Sequence, residues 1–184
     1  MMDENKKPQL VMFKEDLDDL AILNLPADYK LRSFQPGDEE YWEGIIDKSF
    51  NKQLDFKEEI SSKGIYRPEC VLFINYKGRA VTTATAWYNK RWDQKTGYLH
   101  MVGVIPAHRG KGLGFKVSLA VLHQMVQEGR ESAVLETDDF RLAAIKTYLK
   151  LGFKPQIIHE NQIKRWKEIL TNLGEIKLRE DLPG

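Results

Sequence analysis

The run Val104-Ile105-Pro106-Ala107-His108-Arg109-Gly110-Lys111-Gly112-Leu113-Gly114 limits the possible fold more than any other stretch of the chain. Before it, Tyr98-Leu99-His100-Met101-Val102-Gly103-Val104-Ile105 reads as a largely buried strand that Pro106 ends. After it, Val117, Ala120, Val121, Met125 and Val126 follow a helical period. A buried strand thus passes through a short basic loop directly into a helix. Successive free amides in such a loop, with the positive end of the helix dipole behind them, make a cradle for an anion. Glycines let the backbone approach phosphate oxygens, and Arg109 and Lys111 add positive charge. A P-loop needs Gly-Lys followed by Ser or Thr, whereas Gly112 follows Lys111 here; a dinucleotide fingerprint needs Gly-x-Gly-x-x-Gly, whereas the spacing is Gly110-x-Gly112-x-Gly114.

The other segments fall around this junction. Leu10-Val11-Met12-Phe13 suits a short strand, Asp16 to Leu23 a helical turn, and Leu25-Pro26-Ala27-Asp28 a connector. Tyr29 to Phe34 alternates as a strand, and Asp38 is placed to cap a helix that carries Trp42, Ile45 and Ile46 on one face. A second helical stretch is expected from about Asp55 to Lys63. Cys70–Tyr76 and Ala80–Tyr88 flank Lys77-Gly78 as a hairpin. Further on come a strand at Ala133-Val134-Leu135, a helix from Leu142 to Leu151 stopped by Gly152, a strand at Phe153–Ile158 and a helix at Gln162–Leu173, with Leu178–Gly184 frayed. The first half pairs antiparallel and the second alternates strand and helix, which makes a mixed α/β sheet.

Composition sets outer bounds. The chain has 184 residues, with 28 Lys+Arg against 27 Asp+Glu and a net charge of +1. That length suits one domain, and the near-neutral balance argues against a nucleic-acid-binding protein. Cys70 is the lone cysteine and reads as a buried structural thiol. His123 and His159 lack ligand spacing, so no metal is expected. The charged N-terminus has no apolar signal core and no stretch is long enough to span a membrane, so the expected location is the cytoplasm, with no membrane partner.

Arg109, Gly112 and Gly114, after a strand ending in Val104-x-Pro106, resemble the loop of the GNAT superfamily of acyl-CoA N-acyltransferases, Gln/Arg-x-x-Gly-x-Gly/Ala. Ala144, Tyr148 and Leu151-Gly152-Phe153 resemble a second pattern of that family, and the likeness covers about Tyr29 to Ile158. It implies an N-terminal extension over 1–28, an acetyltransferase domain over 29–160, and a C-terminal helix and tail over 161–184 packed on the same domain. It also implies a central sheet of six to seven strands flanked by about four helices plus the C-terminal one. The fourth strand (Gly97–Ile105) and fifth strand (Ser132–Thr137) would lie parallel and splayed. Acetyl-CoA would be the co-substrate. Its pantetheine would pair around Val102, Gly103 and Val104, and its pyrophosphate would sit on Arg109, Gly110, Lys111, Gly112, Leu113, Gly114 and Phe115.

The resemblance also implies direct attack of an amine on the thioester. Tyr148 stands where the family keeps the acid that protonates the thiolate, and a backbone amide near Val104 would serve the oxyanion. Many members carry a Glu base eleven residues before the Gln/Arg; here that residue is Tyr98. His100, on the same strand face and with an ordinary pKa near neutrality, is one alternative, a water relay a second, and Glu136 or Asp138 a third. Arg141 replaces an Asn often found three residues before the motif's Ala, and it either reaches a CoA phosphate or pairs with Asp138 or Asp139. His108 is expected to be exposed. Trp87, Tyr88 and Trp92 are available to an acceptor pocket, and the C-terminal helix with Trp166 either covers the sheet or mediates a homodimer. The expected activity is transfer of an acetyl group to a primary amine of a small molecule or peptide. The alternative is a CoA-binding sensor on the same scaffold without turnover.

Overall fold

The computed structural model describes residues 7–63 and 66–183; the charged run up to residue 6 and Gly184 lie outside the described residues. Seven strands and five α-helices are found among them, and the chain divides into two compact units.

The unit formed by residues 15–133 is built on the antiparallel run β2 (Tyr29–Ser33), β3 (Val71–Tyr76), β4 (Arg79–Trp87) and β5 (Thr96–Val104). The hairpin between β3 and β4 turns at Lys77 (φ 47°) and Gly78 (φ 86°), two positive φ values in succession, as a two-residue hairpin turn requires. One sheet face receives α1 (Glu39–Phe50) and the other α2 (Leu113–Gln127). Under α1 lies a core of Phe34, Trp42, Ile45, Ile46, Phe56 and Phe73, with the Phe34 and Phe56 rings stacked at 4.8 Å.

Three local expectations change. The 16–23 segment forms only a turn at residues 18–19, and α2 holds it and the residue after it through backbone carbonyls: His123 Nε2 bonds Ala21 O at 2.9 Å, and Lys116 Nζ donates to Asn24 O. The 55–63 stretch is a single π-helical turn, Lys57–Ser61, that buries Ile60. Asp38 does precede α1, but its side chain caps no helical amide. It accepts instead from Gln35 N (2.7 Å) and from the Arg32 guanidinium (2.9 Å to Nη2), tying β2 to the start of α1.

Strand β5 contains the irregularity that matters most. Thr83 pairs with Gly103 and Thr85 with His100, so two residues, Met101 and Val102, stand opposite Ala84. This is a β-bulge, and Met101 takes φ 51° within it. The bulge reverses which face later residues present. A Cβ on Gly97 would come within 2.5 Å of Met125 Sδ on α2, whereas one on Gly103 would come within 3.0 Å of Ile45 and Ser49 on α1. In a regular strand those two residues would share a face.

The other unit combines residues up to 14 with those from 134 onward. Its strands follow the order β6 (Ser132–Thr137), β1 (Leu10–Lys14), β7 (Lys154–Gln156), with β1 and β7 antiparallel. Helix α3 (Leu142–Lys150) ends at Gly152 (φ 89°), and Phe153 N bonds Tyr148 O at 3.0 Å, which closes the last turn. Helix α4 (Asn161–Leu173) buries Trp166, Ile169 and Leu170. Its fully buried Gln162 accepts from Ile158 N (2.9 Å) and donates to Gln9 O (2.7 Å). The tail read as frayed forms α5 (Ile176–Glu180). Among the described residues no helix is long and apolar enough to cross a membrane.

Candidate functional site

The chain leaves β5 with Ile105 N bonded to Val81 O (3.0 Å), makes one tight turn over Pro106–His108, and enters α2 through glycines. Gly110 (φ 77°) and Gly112 (φ 72°) both occupy the left-handed region, and a Cβ at either would meet nothing within 4 Å. These glycines are therefore required by backbone conformation, with open space around them. Gly112 is the N-cap of α2 and supplies no side-chain acceptor, so the first-turn amides depend on an acceptor from outside. The α2 N-terminus is thus an uncapped, accessible group of donors with a helix dipole behind it.

The cations of this loop have different roles. Lys111 is exposed, with no carboxylate partner among the described residues. Arg109 braces the loop: its Nε donates to Val104 O (3.3 Å) and its Nη2 to Lys48 O (3.1 Å) in the last turn of α1. His108, expected to be exposed, is half-buried. Its Nδ1 lies 2.8 Å from Tyr29 Oη, and its ring lies 5.0 Å from that of Tyr76. Burial, and then the nearby Lys111 charge, hold its pKa below the ordinary value. Tyr29 and Tyr76, paired in register across β2 and β3, thereby hold the loop from the side. Nothing in the local sequence around either tyrosine marks this role.

Along β5, Tyr98 is buried and His100 half-buried, their rings 5.4 Å apart, and the ring of Trp87, the cross-strand partner of Tyr98, lies 5.9 Å from that of His100. Burial, helped by the Lys63 charge, pushes the His100 pKa down to about 4. The imidazole is neutral at pH 7 and a weaker proton acceptor than its residue type suggests. Val102 lies in the bulge, and Gly103 and Val104 follow it back into register with Thr83 and Thr82.

In the other unit, Tyr148 is buried on α3 with its ring 6.2 Å from that of Phe153. Burial pushes the phenol up to about 12, opposed by the Arg141 charge. Its hydroxyl makes no hydrogen bond among the described residues, so its proton is uncommitted. Arg141 is N-terminal to α3 and its Nε donates to Asp138 Oδ2 at 2.9 Å, which is one of the two arrangements its sequence position allowed. Asp139 accepts from Arg165 of α4 (2.9 Å from Nε), and those hydrogen bonds hold its pKa below the usual carboxylate range. No group of three or more His, Cys, Asp or Glu able to hold a metal ion occurs among the described residues.

Comparison with known proteins bears on the same segments. Mycothiol acetyltransferase from Nocardia farcinica is 42% identical over 71 residues, which are 38% of this chain and 23% of that protein. The enzyme of the same name from Thermobispora bispora is 29% identical over 145 residues, 73% of this chain and 49% of that one. The chain thus spans half or less of the length of these curated relatives. Among solved structures, a GCN5-related N-acetyltransferase from Sphaerobacter thermophilus superposes with a TM-score of 0.66 at 22% identity, over 82% of this chain and 50% of that one, a likeness of fold. The profile of the acetyltransferase (GNAT) family matches residues 24–153. That match takes in well over half of the chain, including the glycine loop, the bulged strand and α3, and the chain belongs to the GNAT acetyltransferase family.

Proposed function

We propose that the protein is an N-acyltransferase that moves an acetyl group from acetyl-CoA to a primary amine of a small molecule or peptide. The observation that carries this reading is the uncapped α2 N-terminus behind Gly110 and Gly112, open to a phosphate-bearing ligand in a chain of this family. Amides of Leu113, Gly114 and Phe115 bind the pyrophosphate, and Lys111 adds charge. Val102 and Val104 offer backbone groups to the pantetheine arm.

In the reaction the amine nitrogen bonds to the thioester carbonyl carbon and the carbon–sulfur bond breaks. Tyr148, a neutral phenol at pH 7 with an uncommitted proton, protonates the departing sulfur. The proton lost by the amine goes to water, directly or by way of neutral His100. With a pKa of about 4, His100 is a relay and not a strong base.

The test is a thioester-cleavage screen. Purified protein with acetyl-CoA and longer acyl-CoAs is offered small amines, amino acids and peptides, with mycothiol-related amines included because of the relatives' name. Amine-dependent release of free CoA thiol is the expected result. Tight acetyl-CoA binding with no release across the panel would instead identify a CoA-binding module without turnover, the reading that Tyr98 at the base position favours.

A further inference from the structure

A cavity of about 300 Å³ opens where β4 ends and α2 stops, lined chiefly by Arg67, Cys70, Trp87, Tyr88, Glu128 and Arg130. It belongs to the opposite end of the β4–β5 hairpin from the glycine loop, since Trp87 pairs with Tyr98 whereas Thr82 pairs with Val104. The proposed acetyl transfer uses none of its charged groups.

The charges in this cavity do not balance. Glu128 is engaged: its Oε1 accepts from Cys70 Sγ, Arg67 Nη2 and Gln124 Nε2, each at 3.1 Å. Burial and the neighbouring carboxylate push the Cys70 thiol up to about 12, so it stays protonated as a donor to Glu128 and is not a nucleophile. Glu128, the one carboxylate among the described residues that line the cavity, thus answers Arg67, which also lies 3.8 Å from Glu69 Oε1. Arg130 has no carboxylate partner among the described residues. Its Nη1 donates to Gln94 O, its guanidinium carbon lies 4.9 Å from the Tyr88 ring centroid, and its Nε is buried with no acceptor. With Nη1 occupied, the edge made by Nε and Nη2 remains, the planar two-donor fork that matches a carboxylate. A buried donor without a partner is costly, so this edge calls for an acceptor.

We propose that this cavity is a second ligand site, in which the Nε–Nη2 edge of Arg130 receives the carboxylate of a small organic acid while Trp87 and Tyr88 flank its carbon skeleton. The volume matches the lower end of small-molecule pockets and equals roughly ten water molecules, which sets the ligand at about the size of a small metabolite. A phosphate could engage the same fork, so the two oxyanions are separated by experiment.

In the ¹⁵N-labelled 184-residue chain, the Arg130 Nε–H resonance is identified by its absence from the Arg130→Gln variant. Succinate and inorganic phosphate are then titrated separately at constant ionic strength. The resonance should move saturably with succinate. Arg130→Lys keeps the charge but loses the fork, and should weaken binding, followed by tryptophan fluorescence, roughly tenfold or more. Lys111→Gln, at the glycine loop, should leave the isotherm unchanged. A linear, non-saturating drift with succinate overturns the proposal, as does saturation by phosphate alone. The wild-type succinate and phosphate isotherms, read by tryptophan fluorescence, stand even where a variant folds poorly, and either result leaves the acetyltransferase reading untouched.

Discussion

Two glycines of the loop, replaced one at a time by alanine, separate backbone conformation from ligand approach. Gly112 sits at φ 72° with nothing within 4 Å of its missing Cβ, so alanine there meets no atom but must occupy the left-handed region. That costs roughly 1–2 kcal/mol, partly offset by the stiffer unfolded chain, for a net loss of about 1 kcal/mol. Gly114 is already helical, and its Cβ would rest 3.7 Å from Val104 Cγ2, an ordinary contact. Alanine there should stabilise the protein by about 0.5–1 kcal/mol through helix propensity. Cofactor binding should follow conformation: to escape strain, the Gly112→Ala variant turns the first amides of α2 away, and the acetyl-CoA dissociation constant rises roughly 5- to 30-fold for 1–2 kcal/mol. Gly114→Ala should bind nearly as wild type does. Urea unfolding followed by circular dichroism gives the stabilities, and calorimetric titration with acetyl-CoA the affinities. If Gly112→Ala loses stability as described yet binds acetyl-CoA as tightly as wild type, the loop amides do not hold the ligand and the phosphates are bound elsewhere.

Tyr148→Phe should lower kcat by about a hundredfold or more while leaving acetyl-CoA affinity close to wild type; unchanged turnover removes the acid assignment. His100 protonates near pH 6.5 when unfolded but only near 4 when folded, so the unfolded chain binds more protons between those values. Stability should therefore be full above 6.5 and fall as pH drops toward 4, by at most on the order of 3 kcal/mol; urea midpoints across this range should flatten in His100→Gln, and an unaltered slope contradicts the assignment. Gly103→Ala pushes a methyl to 3.0 Å from Ile45 Cγ2 and Ser49 Oγ, and should cost about 1–3 kcal/mol of stability, seen as a Tm drop of some 2–4 °C per kcal/mol.

Local pattern was enough for the strand–loop–helix junction, the Lys77-Gly78 hairpin and the end of α3 at Gly152, because each rests on neighbouring residues with strong conformational preferences. What could not be read depends on partners far along the chain. Met101 has no preference for positive φ, so the bulge comes from packing α1 and α2 on opposite faces of one strand. His108 is tethered by Tyr29, 79 residues earlier. The 16–23 segment has helical spacing, but the Ala21 carbonyl goes to His123 and that of Asn24, just after it, to Lys116, so tertiary bonding there prevails over local periodicity. Residue type alone likewise put His100 near neutrality, whereas burial beside the Trp87 and Tyr98 rings, helped by the Lys63 charge, moves it far down.

The bulge also accounts for how the glycine loop is braced. By reversing the faces after His100, it turns Gly103 toward α1, where the missing side chain lets Ile45 and Ser49 approach closely. That approach brings the last turn of α1 down beside the end of β5. The carbonyl of Lys48, one of the helix-terminal acceptors without an intrahelical partner, then meets the Arg109 guanidinium at 3.1 Å, a cation at the negative end of a helix dipole. On the far side, His108 meets Tyr29. The loop is therefore held at both shoulders while Gly110 and Gly112 between them stay open. Arg109, which the sequence enlists for charge at the loop, thus also serves in this structure as a strut between the carbonyls of Val104 and Lys48. Its partners are neutral carbonyls, so its charge adds to that of exposed Lys111 and to the amide end of the α2 dipole.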